Sequence, residues 1–252
     1  MAYPDRLEHF RRRYTLVHPQ WLSATARFQQ QVDAALSPDS RVLDLGCGRG
    51  GIVERLGGKG WWTGIDPDLD SLREHRVTTL PRGSASSEWL PFESGSIDVV
   101  IASWVLEHLP RPQVTFGEIA RVLCPGGRFF FLTPNVDHPL PRLSLALARM
   151  RKLQQRVVSR VYGRSAIDTF PVTYRANRLG TIQQLGMAAG LRMAWIELVD
   201  DPSYFAWNAV TFWAAVGLEM VLPGARRVHL IGELGKPARH SASTDQSAME
   251  LR

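Results

Sequence analysis

The stretch Val42-Leu43-Asp44-Leu45-Gly46-Cys47-Gly48-Arg49-Gly50-Gly51 decides the fold of this 252-residue chain. A short apolar run with an acid near its end breaks into a glycine-rich turn. A helical pattern follows from Ile52 to Leu56. That order predicts a strand, a tight loop and a helix. Glycines admit positive φ and let a ligand approach the backbone closely. The helix N-terminus behind the loop offers free N–H groups and positive potential. The pattern is that of a nucleotide-type cofactor site, or of an ordinary strand-to-helix turn that carries glycines.

The loop spacing leaves the cofactor open. Gly46, Gly48 and Gly51 satisfy G-x-G-x-x-G, the dinucleotide fingerprint, while Gly46, Gly48 and Gly50 satisfy G-x-G-x-G equally well. Asp44, two residues before the first glycine, weighs on the choice. A carboxylate there accepts from a cationic amino group and repels a pyrophosphate. At these residues, Asp44-Leu45-Gly46-Cys47-Gly48-Arg49-Gly50, the sequence resembles the first motif of the class I S-adenosylmethionine (SAM) dependent methyltransferases.

Working outward, Trp61-Trp62-Thr63-Gly64-Ile65-Asp66 predicts a second strand ending in an acid. An acid at that place in a βαβ unit accepts from both ribose hydroxyls, in SAM and NAD alike. The plainer reading of Asp66 is a turn or helix-cap acid, helped by Pro67. Leu90-Pro91-Phe92, a polar turn and Ile97-Asp98-Val99-Val100-Ile101 predict a loop and a buried strand. This stretch is similar to a second methyltransferase motif. Just before it the family commonly has an Asp for the adenine amino group; here Ser86 holds that place, beside Ser87. The resemblance puts the tip of the following strand opposite the sulfonium and the acceptor. It thereby implies cofactor-site roles for Asp44, Gly46, Cys47, Gly48, Gly50, Asp66, Pro67, Ser86, Ser87, Ser103 and Trp104. His108, early in a predicted helix, is the candidate general base for an acceptor hydroxyl; the plainer reading is a packed, hydrogen-bonded histidine.

Val114 to Leu123 has helical apolar spacing, Cys124-Pro125-Gly126-Gly127 reads as a turn, and Arg128 to Leu132 as a buried strand. Thr181 to Ala189 reads as a helix, with strands at Met193–Val199 and Arg226–Gly232. The expected fold is α/β: a Rossmann-like, seven-stranded, mostly parallel sheet, its antiparallel last strand implied by the resemblance.

Composition bounds the rest. A hydrophobic fraction of 44% and a charged fraction of 21% are those of a globular protein. A net charge of +6 favours anionic partners without choosing among them. Cys47 and Cys124, the two cysteines, suggest neither a metal site nor a disulfide framework, and a reducing, cytoplasmic setting fits them. Met1 to Arg13 is charged and lacks an apolar h-region, so no secretory signal is expected. Nucleic acid is disfavoured: the charge is concentrated in one stretch and no recognised binding motif accompanies it.

Residues 1–37 read as an N-terminal helical cap and 38–236 as the cofactor domain, with an insertion at about 137–175 and a flexible tail at 237–252. From His138 to Ile167 there is no acid, while Arg142, Arg149, Arg151, Lys152, Arg156, Arg160 and Arg164 are basic. That spacing predicts a basic amphipathic helix, read either as a packed lid with a solvated face or as a surface for anionic lipid. The uncharged run Pro202 to Leu218 is short for a membrane span and reads as a buried or interfacial helix. Peripheral membrane contact through these two stretches is one expectation. The functional expectation is methyl transfer from SAM to a small-molecule, glycan or lipid-linked acceptor. Two rivals are an NAD-dependent oxidoreductase using the same loop and a SAM-binding module without catalysis.

Overall fold

A computed structural model describes residues 3–142 and 172–238. The basic insertion and most of the tail lie outside the described residues, so the amphipathic helix expected there is not taken further.

The seven strands are β1 (Arg41–Leu45), β2 (Trp61–Asp66), β3 (Arg82–Ser84), β4 (Ile97–Ser103), β5 (Leu123–Pro134), β6 (Arg192–Val199) and β7 (His229–Gly235). They form one sheet in the order β3-β2-β1-β4-β5-β7-β6. β1 pairs in parallel with β2 and β4, while β7 runs antiparallel between β5 and β6. The order reverses at β1, so the crevice at the carboxyl ends of β1 and β4 is where a ligand binds in such a sheet.

The helices are α1 (Tyr3–Val17), α2 (Ala24–Ala35), α3 (Val53–Leu56), α4 (Leu69–Arg73), α5 (Pro112–Val122), α6 (Leu179–Ala188) and α7 (Ala209–Val221). Alternation along the central strands splits the core into two layers. Leu43, Val100, Phe129 and Phe131 meet Phe116 and Ile119 of α5 on one face. Val42, Ile101, Phe130 and Leu132 meet Phe28 and Val32 of α2 on the other. Phe131 is fully buried, and truncating such a ring to alanine costs about 3–5 kcal/mol.

α2 forms because Ser23 caps it, accepting from Ala26 N, and because Phe28 and Val32 share one face. α1 presents Phe10 and Tyr14, one turn apart, to Phe212 and Val216 of α7. Tyr14 Oη donates to Asp200 at 2.7 Å, and Arg11 donates twice to Asp201. The start of the chain is thereby tied to the segment after β6.

Two local expectations are corrected. Cys124 to Gly127 does not separate a helix from a strand: it lies within β5, at a register shift between Ile97 and Val99 of β4. Gly126, at φ +82°, absorbs the irregularity. His108 does not begin a helix. It ends a single 3-10 turn, Leu106–His108, and α5 starts only at Pro112.

Candidate active site

The glycine loop turns at the carboxyl end of β1 because two backbone amides reach sideways. Gly46 N and Cys47 N both donate to Ile65 O of β2, at 2.7 and 3.2 Å. Gly46 sits at φ +74°, and a Cβ there would lie 2.4 Å from Val105 Cγ2. The tip of β4 therefore packs directly on the loop. Gly48, at φ +50°, is different: a Cβ would find only Asp66 Oδ2, at 3.9 Å. Its bare backbone faces open space.

Behind the loop is a cavity of about 540 Å³. Asp44, Gly46, Cys47, Gly50, Ser103 and Trp104 all line it, half of the candidates that the sequence suggested. Gly48, Asp66, Pro67, Ser86, Ser87 and His108 are not in its wall. Asp66 remains coupled to it, since its Oδ2 accepts from Gly48 N at 2.9 Å and its Oδ1 from Asp68 N at 2.8 Å. Asp66 thus braces the loop from the end of the neighbouring strand. Ser87 Oγ lies 3.1 Å from Thr115 Oγ1, and Ser86 Oγ accepts from Glu88 N. Both serines are engaged in the turn that leads to Leu90.

Asp44 decides the character of the cavity. It is 3% exposed, and its carboxyl accepts no hydrogen bond from the described residues. Burial, with the charge of Asp66 added, raises its pKa to about 7. Burial also raises Asp66, while the two backbone amides it accepts from pull it back. Burial and the same two acids push the Cys47 thiol up to about 12, so this cysteine is an uncharged wall of the site. A buried carboxyl with no partner on a cavity wall calls for a cation or a donor from the ligand.

The sequence did not disclose the other wall. Thr25, Phe28 and Gln29 of α2 line the cavity, as do Glu54, Arg55 and Arg76. Arg76 pairs with Glu54 across the mouth, and Arg55 Nη1 donates to Gln29 Oε1 at 3.0 Å. The amphipathic pattern of α2 shows which face is buried, but not that its first turn overhangs the loop of β1.

Trp104 closes the cavity on the side of β4. Its φ of +61° is left-handed, a rare setting for a bulky residue, held by Trp104 N donating to Leu132 O at 2.8 Å. Its ring meets the buried His229 edge-on at 5.1 Å, and His229 in turn meets Tyr204 at 5.3 Å. His108 stands apart, with its Nε2 4.0 Å from Glu107 Oε1. Glu107 itself is buried and accepts from Thr133 Oγ1 at 3.0 Å; Thr133 Oγ1 accepts from Asn177 Nδ2. This buried polar chain at the ends of β4 and β5 was not apparent in the sequence.

Residues 43–131 match the family model described as a methyltransferase domain. The chain is 33% identical over 128 residues to a fatty-acid O-methyltransferase of Mycolicibacterium smegmatis, covering 47% of each chain. It is 33% identical over 155 residues to a malonyl-[acyl-carrier protein] O-methyltransferase of Herminiimonas arsenicoxydans, covering 55% of this chain and 59% of that protein. It spans about half the length of the curated relatives it matches. Among solved structures, a Haloferax volcanii methyltransferase in complex with the Trm112 activator superposes at TM-score 0.59, with 20% identity and coverage of 86% and 90%. Geranyl diphosphate C-methyltransferase of Streptomyces coelicolor, bound to S-adenosylhomocysteine, superposes at 0.58, with 16% identity and coverage of 85% and 80%. These likenesses establish the fold.

Proposed function

We propose that this chain, which carries a class I SAM-dependent methyltransferase domain, moves the methyl group of SAM to a small-molecule, glycan or lipid-linked acceptor. The observation that carries the reading is Asp44: a buried carboxyl, without a hydrogen-bond partner among the described residues, on the wall of the glycine-loop cavity. The residues fit the cofactor. Asp44 would take its amino group, the bare backbone at Gly48 would admit its methionine part, and Asp66 would hold the ribose while bracing the loop. A pyrophosphate in that place would face two carboxyls, which is why NAD is the weaker reading. The acid that would read the adenine edge is absent, and the Ser86–Ser87 turn stands in its place.

SAM supplies an already activated methyl group, so the protein's task is positioning and exclusion of water. Trp104 and Ser103 at the tip of β4 would wall the reacting centre. A hydroxyl acceptor must also lose a proton, and His108, with the buried Glu107 beside it, is the base assigned to that step. Relatives named for fatty-acid and acyl-carrier-protein O-methylation support an oxygen acceptor on an apolar or lipid-linked molecule. The same reading makes the chain a cytoplasmic protein that meets such an acceptor at the inner membrane surface. No described helix is long and apolar enough to cross a membrane.

The test is release of S-adenosylhomocysteine from SAM on adding long-chain fatty acids or phenolic lipids. Acceptor-dependent release is the expected result; with a phenolic acceptor His108→Ala should reduce kcat about a hundredfold with KM for SAM unchanged, whereas a fatty-acid carboxylate, already ionised, should be little affected. Tight cofactor binding with no release on any acceptor would favour a binding module instead.

A further inference from the structure

No exposed position of α7 carries a polar side chain, and the half-buried Thr211 turns its hydroxyl back to Asn208. The exposed positions are Val210, Trp213, Leu218, Met220 and Val221, with alanine or glycine between them. Val210, Met220 and Val221 are each 78% exposed, and Trp213 is 45% exposed. Trp207, just before the helix, is 49% exposed. Scattered apolar side chains on a surface need no explanation, but a continuous stripe of them marks an interaction face. The one charge of α7, Glu219, is turned inward, its Oε1 3.3 Å from His138 Nε2. The inner face is occupied too: Phe212 and Val216 pack on Phe10 and Tyr14 of α1. The helix is thus apolar on both sides, with its single acid withdrawn from the outer one.

Size and charge say what covers the stripe. Thirteen residues make a helix of about 20 Å, too short for the roughly 30 Å of a bilayer core. A strip of that length and one helix wide also falls short of the roughly 800 Å² that each partner of a stable dimer gives up. From Pro202 to Gly232 Glu219 is the only acid, and the exposed Arg226 and Arg227 follow the helix. Tryptophans, an apolar face and basic neighbours together are the requirements of a helix lying in the plane of an anionic membrane.

We propose that the outer face of α7 seats this protein on an anionic phospholipid bilayer, with Trp207, Val210, Trp213 and Met220 at the headgroup–acyl boundary and Arg226 and Arg227 at the phosphates. This rests on the membrane part of the reading above and is independent of its cofactor part. The placement also has a use. Tyr204, His229 and Trp104 make a chain of ring contacts from the start of this segment to the cofactor cavity. The segment that would meet the bilayer is thereby joined to the cavity wall at Trp104.

The experiment is co-sedimentation of the full chain with vesicles of mixed phosphatidylcholine and phosphatidylglycerol, and with vesicles of phosphatidylcholine alone. The chain should pellet with the mixed vesicles only. Trp213→Ser with Met220→Ser, both exposed positions, should reduce pelleting about tenfold or more while the melting temperature holds. Arg226→Gln with Arg227→Gln should weaken binding and flatten its salt dependence. Wild-type chain that stays in the supernatant, or serine variants that pellet as well as wild type, would overturn the proposal. So would a dimer in solution that the serine variants dissociate and that ignores vesicles. Titration of the same samples with S-adenosylhomocysteine separates this outcome from failure of the cofactor reading.

Discussion

Asp44 and Asp66 stand at the carboxyl ends of adjacent parallel strands, and the charge of Asp66 adds to burial in raising the carboxyl of Asp44 to about 7. The two acids have divided the work. Asp66 spends both oxygens on backbone amides of the loop and the next turn, whereas Asp44 is left facing the cavity. Asp66 shapes the loop, while Asp44 presents its carboxyl to the cavity.

That division predicts a pH dependence. A cationic amino group binds the ionised form of Asp44, so affinity for S-adenosylhomocysteine should tighten about tenfold as pH rises through about 7, from about 6 to about 8. Asp44→Asn should bind weakly and without that slope. The sign for the free protein is opposite. A carboxyl whose folded pKa is raised stabilises the fold below its unfolded value, near 4, and loses that contribution as pH rises through about 7. Asp44→Asn should therefore melt higher than wild type at pH about 8, by about 1–3 kcal/mol, and the two should converge at acid pH. Calorimetric titration and thermal melts across that range check both halves.

Gly46 and Gly48 should respond differently to alanine. At Gly46 the added carbon meets Val105 Cγ2 at 2.4 Å, on top of a left-handed backbone. Gly46→Ala should cost about 2–4 kcal/mol in denaturant stability. At Gly48 only the backbone penalty applies, about 1–2 kcal/mol. On the proposed reading its methyl would instead meet the methionine part of the cofactor, so Gly48→Ala should lose more in cofactor affinity than in stability. Equal losses of both kinds at both positions would contradict this account of the loop.

His229 should make the fold acid-sensitive. Burial first, then Arg11 and His138, push its imidazole down to about 3, with Asp200 opposing. The depressed group contributes stability above its unfolded pKa of about 6.5 and loses it as pH falls toward about 3. His75, also lowered by burial, acts in the same direction. The melting temperature of wild type should fall steadily over that window. His229→Gln should start lower, for lost packing against Trp104 and Tyr204, but fall with a shallower slope.

Much of this was legible in the sequence, for reasons that differ by residue. The strand, loop and helix around Asp44 are local: alternation, an acid and glycines within ten residues fix them. The fully buried central strands announced themselves as apolar runs. Cys124-Pro125-Gly126-Gly127 misled because a proline and two glycines signal a turn, whereas the sheet accommodates them as an irregularity inside β5. His229 drew no notice as a sequence feature. It opens β7, opposite Pro134 of β5 and Val199 of β6, and only that long-range register brings it to Trp104. Thr25, Gln29 and Arg76 share the same difficulty. Their place on the cavity is set by how α2 and the turn after α4 lie over the loop, which no spacing encodes.

The central claim is that the glycine-loop cavity takes SAM and not a dinucleotide. Calorimetric titration of the purified chain with S-adenosylhomocysteine, with NADH in parallel and both repeated on Asp66→Ala, tests it most directly. The account predicts saturable binding of S-adenosylhomocysteine alone, weakened at least about tenfold in Asp66→Ala because that variant removes the brace on Gly48 and, on the proposed reading, the ribose partner. Binding of NADH with no response to S-adenosylhomocysteine would contradict it.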